Sequence, residues 1–294
     1  MSETEHLRHE ARQARDAGQL ELAESLYQTA QRLAEESGDE CAAERSYCGR
    51  ASIAIELGRG EEFLSELRQV LMRNRDNENC FLAAYNIARA YEIAKANQKA
   101  LFYARIARDR ARVLDRLEWQ ASSHNQIGNL LLAESFFEEA CGEYEQALTL
   151  VPQDSPVREA LIKDNLGYSL VVQKRYDEGF RLLFESFRML RKAGARRYQN
   201  LPRLSLCFAY MEIGRLDRAV RHGRAVLESA GALGDVESVK NVLYLLGEAA
   251  NLQGDFDLAR SYFLRLQSEF YPNADYLPDF LLAIDVRKLV NLKA

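Results

Sequence analysis

The chain has 294 residues, of which 47% are hydrophobic and 28% are charged, and it contains only 16 glycines and 5 prolines. This composition supplies enough apolar residues for a continuous core and too few chain breakers for many short strands, so it argues against a disordered chain and against an all-β fold. The formal net charge of −5 argues against nucleic acid as a partner, because proteins that bind it usually concentrate positive charge.

The N-terminal segment is polar and acidic, without the basic and apolar stretches of a secretory signal, and no run of about 18 apolar residues follows later. We therefore expect a soluble, cytoplasmic protein that does not enter a membrane. The cysteines are odd in number and form no CxxC pair, so we expect reduced thiols and neither a metal site nor a cofactor. They are Cys41, Cys48, Cys80, Cys141 and Cys207.

Small residues recur along the chain at intervals of 40, 37, 40, 39, 40 and 40 residues, which indicates an internal repeat. Twelve residues after each of them comes a second position, which is small in every copy except the second, where it is Phe63. Two small residues at a fixed offset predict the place where the two helices of a hairpin approach most closely. The first positions are Ala11, Ala51, Ala88, Gly128, Gly167, Cys207 and Gly247, and the second are Ala23, Phe63, Ala100, Ala140, Gly179, Ala219 and Ala259.

Each copy is predicted to consist of a helix, a tight turn and a second helix. In four copies a glycine stands seven residues after the first small position, where the end of a helix commonly needs the left-handed conformation that glycine adopts without penalty. Beyond the second small position the apolar spacing stays helical, as in Ala140, Tyr144 and Ala147. The four turn glycines are Gly18, Gly58, Gly214 and Gly254.

The predicted repeats end at clusters of turn-forming residues. The break near Asp115 is weak, and continuous helix is the alternative to a repeat boundary there. After the last repeat, Pro278 starts a predicted capping helix over 278–292, which carries Leu281, Ile284, Leu289 and Leu292 and shields the last apolar face. Exchange of this segment into a neighbouring protomer is the alternative. In chain order the repeats cover 4–38, 41–76, 79–115, 118–153, 157–194, 200–234 and 237–272.

One copy carries a recognisable signature. Ile127-Gly128, followed by Leu131, Ala140, Tyr144, Ala147 and Pro152, resembles the tetratricopeptide repeat. Units near 40 residues are similar to the longer-helix branch of that family, found in kinesin light chains and in repeat domains of some bacterial regulators. The resemblance implies a single domain over 1–294, a right-handed α-solenoid of about seven antiparallel helical hairpins with a C-terminal capping helix. His124 departs from the family's usual tryptophan, and the second and fifth copies are degenerate.

The resemblance also implies that the first helices line a concave groove that holds another protein. Residues around the first small positions should face that groove. They are mainly basic in the first copies, amides in the centre, and apolar or aromatic in the last copies. Besides the main candidates below, these rows contain Arg8, Arg12, Arg15, Arg45, Tyr85, Leu201, Leu204, Met211, Asn241 and Asn251.

Amide side chains offer both a donor and an acceptor, so they can pair with the backbone of an extended peptide whatever its sequence. Together with the polarity gradient, this predicts a partner protein or peptide with an acidic end and an apolar or aromatic end. The predicted groove residues are Arg89, Asn86, Asn125, Asn129, Asn165, Tyr168, Phe208 and Tyr244.

No set of residues predicts catalysis. Lone thiols and imidazoles such as Cys207 and His222 lack the third, orienting group of a nucleophilic site, so we expect no enzyme. Two arginine-rich clusters, in 105–116 and 188–197, are interpreted as solvated faces, with docking of an acidic partner as the alternative. The leading hypothesis is an adaptor or scaffold that binds an extended peptide or a partner helix. A peptide-sensing regulatory module and a regulatory subunit of a separately encoded enzyme are alternatives, and the oligomeric state is open.

Overall fold

The computed structural model describes residues 2–152, 154–289 and 292, and within these ranges it contains sixteen α-helices, two short 3-10 helices and no β-strand. The prediction of an all-α fold of tandem helical hairpins is confirmed. The helices are α1 (Glu3–Asp16), α2 (Leu20–Glu36), α3 (Glu40–Glu56), α4 (Leu64–Arg73), α5 (Asn77–Ile93), α6 (Asn97–Val113), α7 (Leu117–Ala133), α8 (Phe137–Leu150), α9 (Pro156–Val172), α10 (Tyr176–Lys192), α11 (Asn200–Glu212), α12 (Leu216–Leu233), α13 (Val236–Leu252), α14 (Phe256–Phe270), α15 (Leu277–Ala283) and α16 (Val286–Leu289).

The helices fall into two compact units, Met1–Leu130 and Leu131–Ala294. In unit 1, α1 packs on α2 and α5 on α6, while α1, α3 and α5 contact one another in sequence. In unit 2, the hairpins are α9–α10, α11–α12 and α13–α14, and α9, α11 and α13 contact one another in sequence. Each unit therefore presents a face built from consecutive first helices, which we call its first-helix face.

The hairpin seams lie at the predicted small residues. A Cβ atom on Gly179 would lie 2.9 Å from the carbonyl oxygen of Gly167 and 2.7 Å from Cγ2 of Val171, so only glycine permits this approach of α10 to α9. In the second copy, where Phe63 takes the seam position, a 3-10 helix over Gly60–Phe63 precedes α4 and packs against α3. A bulky seam residue thus coincides with a local departure from the regular hairpin.

Every hairpin turn uses one left-handed residue. The four predicted glycines have φ between +71° and +81°. In the three other copies the equivalent residue has the same conformation without being glycine, although this conformation costs an L-residue roughly 1–2 kcal/mol. These three residues are Lys95 (φ +56°), Ser135 (φ +65°) and Lys174 (φ +64°).

Helix does not continue through Asp115, so the alternative of continuous helix is wrong. Helix α6 ends at Val113, Asp115 is left-handed with φ +51°, and α7 begins at Leu117. A left-handed residue cannot continue a right-handed helix, and the amide N–H groups of Asp115 and Arg116 instead bond carbonyls of the last turn of α6.

The single capping helix predicted over 278–292 is also wrong in extent. Helix α15 ends at Ala283, Ile284 is extended, and α16 begins at Val286. The carboxylate of Asp285 accepts from the backbone N–H of Arg287 at 3.2 Å and from its side-chain Nε at 2.9 Å. A side chain that bonds the backbone two residues on starts a new turn and competes with continued helix. Residues 290 and 291, the side chain of Leu289, and residue 153 at the end of the fourth predicted repeat lie outside the described parts.

Among the described residues, no helix combines the length and the apolar character needed to cross a membrane. In the same part of the chain, no cluster of three or more His, Cys, Asp or Glu side chains could hold a metal ion. All five cysteines are unpaired thiols, and all but Cys41 are buried.

Candidate functional site

Asn86 lies inside unit 1 and not on an open surface. Its side chain is 4% exposed, and its Nδ2 atom donates to the main-chain carbonyl of Cys48 at 2.7 Å. Because Asn86 is on α5 and Cys48 is on α3, this hydrogen bond joins two consecutive first helices. We therefore assign Asn86 to the packing of the repeats and do not propose it as a contact for a partner.

Arg89 is half-buried and already has partners within unit 1. Its Nη1 atom donates to the hydroxyl of Ser52 at 3.1 Å, and its Nη2 atom lies 3.4 Å from the Glu56 carboxylate. Arg15 pairs with the same carboxylate. We call the arginines predicted to face the groove in the first copies the basic strip (Arg8, Arg12, Arg15, Arg45 and Arg89). Two of them thus share one acid, which reduces the charge left for an acidic partner.

The other arginines of the basic strip differ in their surroundings. Arg45 pairs with Asp76 at 2.6 Å and lies 3.2 Å from Glu78. Arg8 is 8% exposed, and its Nη1 atom has no hydrogen-bond partner among the described residues. Burial, followed by repulsion from Arg45, lowers the pKa of Arg8. The expectation of an acidic ligand end in this strip now depends chiefly on Arg8 and the exposed Arg12.

The central amides of unit 1 surround a carboxylate. Gln126 donates to Glu92 at 3.2 Å, and Asn129 also hydrogen-bonds this side chain. Burial raises the pKa of Glu92, while these hydrogen bonds and Arg89 act in the opposite direction. Asn125, one turn before Asn129 on α7, is half-buried. Two amides of α7, Gln126 and Asn129, are thus engaged by the Glu92 carboxylate.

In unit 2, Tyr168 and Phe208 come together. Each directly follows the small seam residue of its helix, and their ring centroids are 5.3 Å apart. Both are buried, with 2% and 5% exposure. Asn165, on the same helix as Tyr168, is half-buried. Burial raises the pKa of Tyr168 to about 12.

Tyr244, the last predicted groove residue, has a partner of its own. It is half-buried on α13, and its hydroxyl is hydrogen-bonded to Tyr271, the residue that ends α14. Burial and this neighbouring hydroxyl raise the pKa of Tyr244. The contact links the two helices of the last hairpin, so the side chain has a structural role in unit 2.

Tyr168 is covered by the protein's own C-terminal segment, defined here as residues 282–289 and 292. The backbone N–H of Leu292 donates to the Tyr168 hydroxyl at 3.3 Å. Further along the same face, Asn251 Nδ2 donates to the carbonyl of Leu282 at 3.4 Å, and Glu248 accepts a hydrogen bond from the backbone N–H of Val286. Side chains of α9 and α13 thus bind main-chain groups of this segment at three points.

Charge complements these main-chain contacts. The guanidinium of Arg287 lies 3.4 Å from the Glu212 carboxylate and 3.9 Å from that of Glu248. Glu248 is 1% exposed, and its Oε2 atom has no hydrogen-bond partner among the described residues. Burial raises the pKa of Glu248, partly offset by the bond from Val286. An acceptor left unsatisfied in this way costs about 1–3 kcal/mol, so the site has capacity for one more donor.

Sequence reasoning missed Glu212, Glu248 and the role of the C-terminal segment. Glu248 follows Gly247 directly, which is the same register that selected Tyr168 and Phe208. Consistent use of that register would have found it. The sequence predicted that the C-terminal residues cap the last repeat, but it did not indicate their contacts with Tyr168 and Glu248, which follow the break at Ile284.

Two further features bear on catalysis. A cavity of about 580 Å³ in unit 1 is lined by Glu44, Glu66, Arg73 and Arg75 among others, and these carboxylates and guanidiniums pair at 2.6–3.1 Å. Ion pairs of this kind hold α3, α4 and the following loop together. In unit 2, burial raises the pKa of Cys207 to about 12, so its thiol does not form the thiolate that a nucleophile needs.

These features define an all-α protein of tandem helical hairpins with the tetratricopeptide-like fold. Solved structures of that fold are similar over nearly the whole chain. A tetratricopeptide repeat protein from Parabacteroides merdae has 17% identity and a TM-score of 0.59, with 97% of this chain and 98% of that chain covered. A Rap protein complexed with competence and sporulation factor has 17% identity and a TM-score of 0.69, with coverages of 94% and 75%.

Aspartyl phosphate phosphatase F from Bacillus subtilis is a third similar structure, with 11% identity, a TM-score of 0.61, and coverages of 92% and 76%. No family model and no curated protein matches the chain by sequence. At these identities the similarity establishes the fold, which confirms the resemblance to tetratricopeptide repeats drawn from the sequence.

Proposed function

We propose that the protein is an adaptor that binds an extended segment of another protein on the first-helix face of unit 2. The observation that carries this proposal is the main-chain recognition of the C-terminal segment by Tyr168, Glu248 and Asn251. Side chains that pair with backbone N–H and C=O groups recognise polypeptide whatever its sequence. The chemistry of this face therefore suits a peptide ligand.

The half-buried amides extend the same chemistry to other parts of the first-helix faces. Asn165 lies on α9 one turn before Tyr168, and Asn125 and Asn129 lie on α7. We propose Asn165 as an additional backbone contact on unit 2, and Asn125 and Asn129 as backbone contacts on the first-helix face of unit 1. The similarity to a Rap protein solved in complex with competence and sporulation factor supports a bound ligand for this fold.

A non-catalytic role agrees with the chemistry of the described residues. The carboxylates and guanidiniums of the unit 1 cavity named above pair with one another, and Cys207 is held as a neutral thiol. Groups that are neutralised or kept protonated in this way supply neither a general base nor a nucleophile. The proposed adaptor therefore acts by binding alone.

The proposal is tested by selecting binders to the full-length protein from a library of random peptides. Dissociation constants of the selected peptides are then measured by fluorescence anisotropy against the wild type, Asn165→Ala and Glu212→Ala. Loss of one hydrogen bond, worth about 0.5–1.5 kcal/mol, weakens binding by about 2- to 13-fold. Glu212→Ala is expected to weaken peptides that carry a basic residue by a similar factor.

Glu228→Ala is the matched control, because Glu228 is an exposed glutamate on the second helix α12. It is expected to leave the affinity unchanged. Peptides that bind both face variants as tightly as the wild type would place the binding surface elsewhere and refute the proposal.

A further inference from the structure

The C-terminal segment occupies the same surface that we propose for the partner, and this inference rests on that proposed function. We propose that the segment is a built-in competitor, and that the partner is a peptide of the same chemistry. Such a peptide carries an arginine for Glu212 and Glu248 and an apolar residue about five positions later for the Tyr168–Phe208 pair.

The apolar residue expected in the partner peptide corresponds to Leu292 of the segment. Leu292 is 9% exposed and belongs to the same buried cluster as Tyr168 and Phe208, while Val286 in that cluster is fully buried. Departure of the segment would free the Tyr168 hydroxyl, whose ring lies 5.3 Å from that of Phe208, and would remove the apolar side chains of Val286 and Leu292 from this cluster. Exposed apolar surface of this kind is a typical binding site for another chain.

The arginine expected in the partner peptide corresponds to Arg287 of the segment, which faces two carboxylates. Glu212 and Glu248 both face Arg287, and the buried Oε2 atom of Glu248 still lacks a donor. The segment therefore satisfies this carboxylate only in part. A partner that supplies an arginine together with one more N–H group at Glu248 would bind more tightly than the segment does.

The charge contact of the segment with the face is divided between two sites. Helix α16 has only four residues, and the Arg287 guanidinium is shared with its own neighbour Asp285, at 2.9 Å, which is closer than either acid of the face. Because Arg287 pairs with Asp285 of the segment as well as with the face, it contributes less to the binding of the segment than an arginine that pairs only with Glu212 and Glu248. The segment can therefore be displaced without unfolding the hairpins beneath it.

Occupation by the segment lowers the apparent affinity for a partner in proportion to the fraction of molecules with an open face. The tether strengthens this competition, because a segment on the same chain has an effective concentration on the order of millimolar. Release of the segment should thus raise the affinity for a peptide added in trans.

The test uses a fluorescein-labelled synthetic peptide with the sequence of residues 282–294 and three full-length proteins. These are the wild type, the double variant Arg287→Glu/Leu292→Asp, and Lys288→Glu as control. The double variant places negative charge against Glu212 and Glu248 and against the aromatic pair, so its own segment should leave the face. Lys288 is 84% exposed, so its reversal should not release the segment.

We expect the double variant to bind the labelled peptide at least about tenfold more tightly than the wild type, with Lys288→Glu equal to the wild type. Equal binding to all three proteins, or no binding to any, would overturn the inference. If library peptides bind the wild type and the double variant equally, the face binds peptides but the segment is no competitor, and only the inference fails.

A second measurement needs no variant. In the wild type, hydrogen exchange of the Val286 and Leu292 amides should be slow, because Glu248 and Tyr168 accept from them. Excess peptide, isotopically labelled so that its fragments differ in mass, should speed exchange in the protein's own segment. Exchange that is unchanged by saturating peptide would show that the segment is a fixed cap.

Discussion

Replacement of Asn86 by alanine tests whether its side-chain amide stabilises the fold or contacts a bound partner. The variant loses the hydrogen bond from Asn86 to the Cys48 carbonyl, which is worth about 0.5–1.5 kcal/mol. The Cys48 carbonyl lies within α3 and keeps its helical hydrogen bond, so it is not left wholly unsatisfied. The vacated volume is about that of one water molecule, ~30 Å³, and at ~24 cal/mol per Å³ it adds about 0.7 kcal/mol.

The expected destabilisation is therefore about 1–2 kcal/mol, which lowers the unfolding midpoint by about 2–8 °C. Thermal unfolding followed by far-UV circular dichroism measures this shift. Asn273→Ala is the control, because Asn273 is an exposed asparagine in the turn after α14 and should leave the midpoint unchanged. A normal midpoint for Asn86→Ala, together with weaker binding of a library-selected peptide, would refute the structural assignment and restore Asn86 as a partner contact.

Two further predictions concern the seams and the pH dependence of unfolding. Gly179→Ala should destabilise the protein by about 1–3 kcal/mol, because the added Cβ would press on the Gly167 carbonyl. Gly142→Ala is the control: it lies on the open face of α8 and should be neutral or stabilising by up to about 1 kcal/mol. Urea unfolding measures both free energies. His222 stacks on Tyr210, and burial, with Arg203 and Arg221, lowers its pKa to about 4, below its unfolded value of about 6.5. The unfolded state therefore binds the proton more readily, so stability should fall as the pH drops from about 6.5 to 4. His222→Phe keeps a stacked ring and should show a smaller loss of midpoint over that window, and an identical pH profile would contradict the assignment.

The repeat architecture could be predicted because close packing restricts residue type wherever two helices meet. The pair Gly167 and Gly179 could be read from the sequence, since any larger side chain would collide with backbone. The left-handed turns were visible only where glycine occupies them. Lys95, Ser135 and Lys174 adopt the same conformation and gave no signal, because a repeat packed on both sides of the turn can hold an unfavourable residue in place.

The candidate site could be predicted only in part, because register alone does not separate a residue that faces the surface from one that joins neighbouring helices. Asn86 lies next to the groove register, yet its amide bonds the preceding first helix. The arginines of the basic strip were counted as charge available to a partner, although Glu56, Asp76 and Glu78, on or next to a neighbouring first helix, pair with most of them. Charge on a face is set by which pairs form, and those pairs join residues more than 30 positions apart.

The C-terminal residues changed the interpretation of the aromatic pair most. From the register alone, Tyr168 and Phe208 were expected to be open to a partner, and the structure shows both buried. The burial of Tyr168 involves the C-terminal segment, because its hydroxyl accepts from the Leu292 amide. The side chains that hold the main chain of the segment would serve equally for the main chain of the partner proposed above. The chemistry of the proposed partner is therefore better inferred from the polar atoms that hold the segment, and from the Glu248 oxygen that the segment leaves unsatisfied, than from the exposed charges of the helical hairpins.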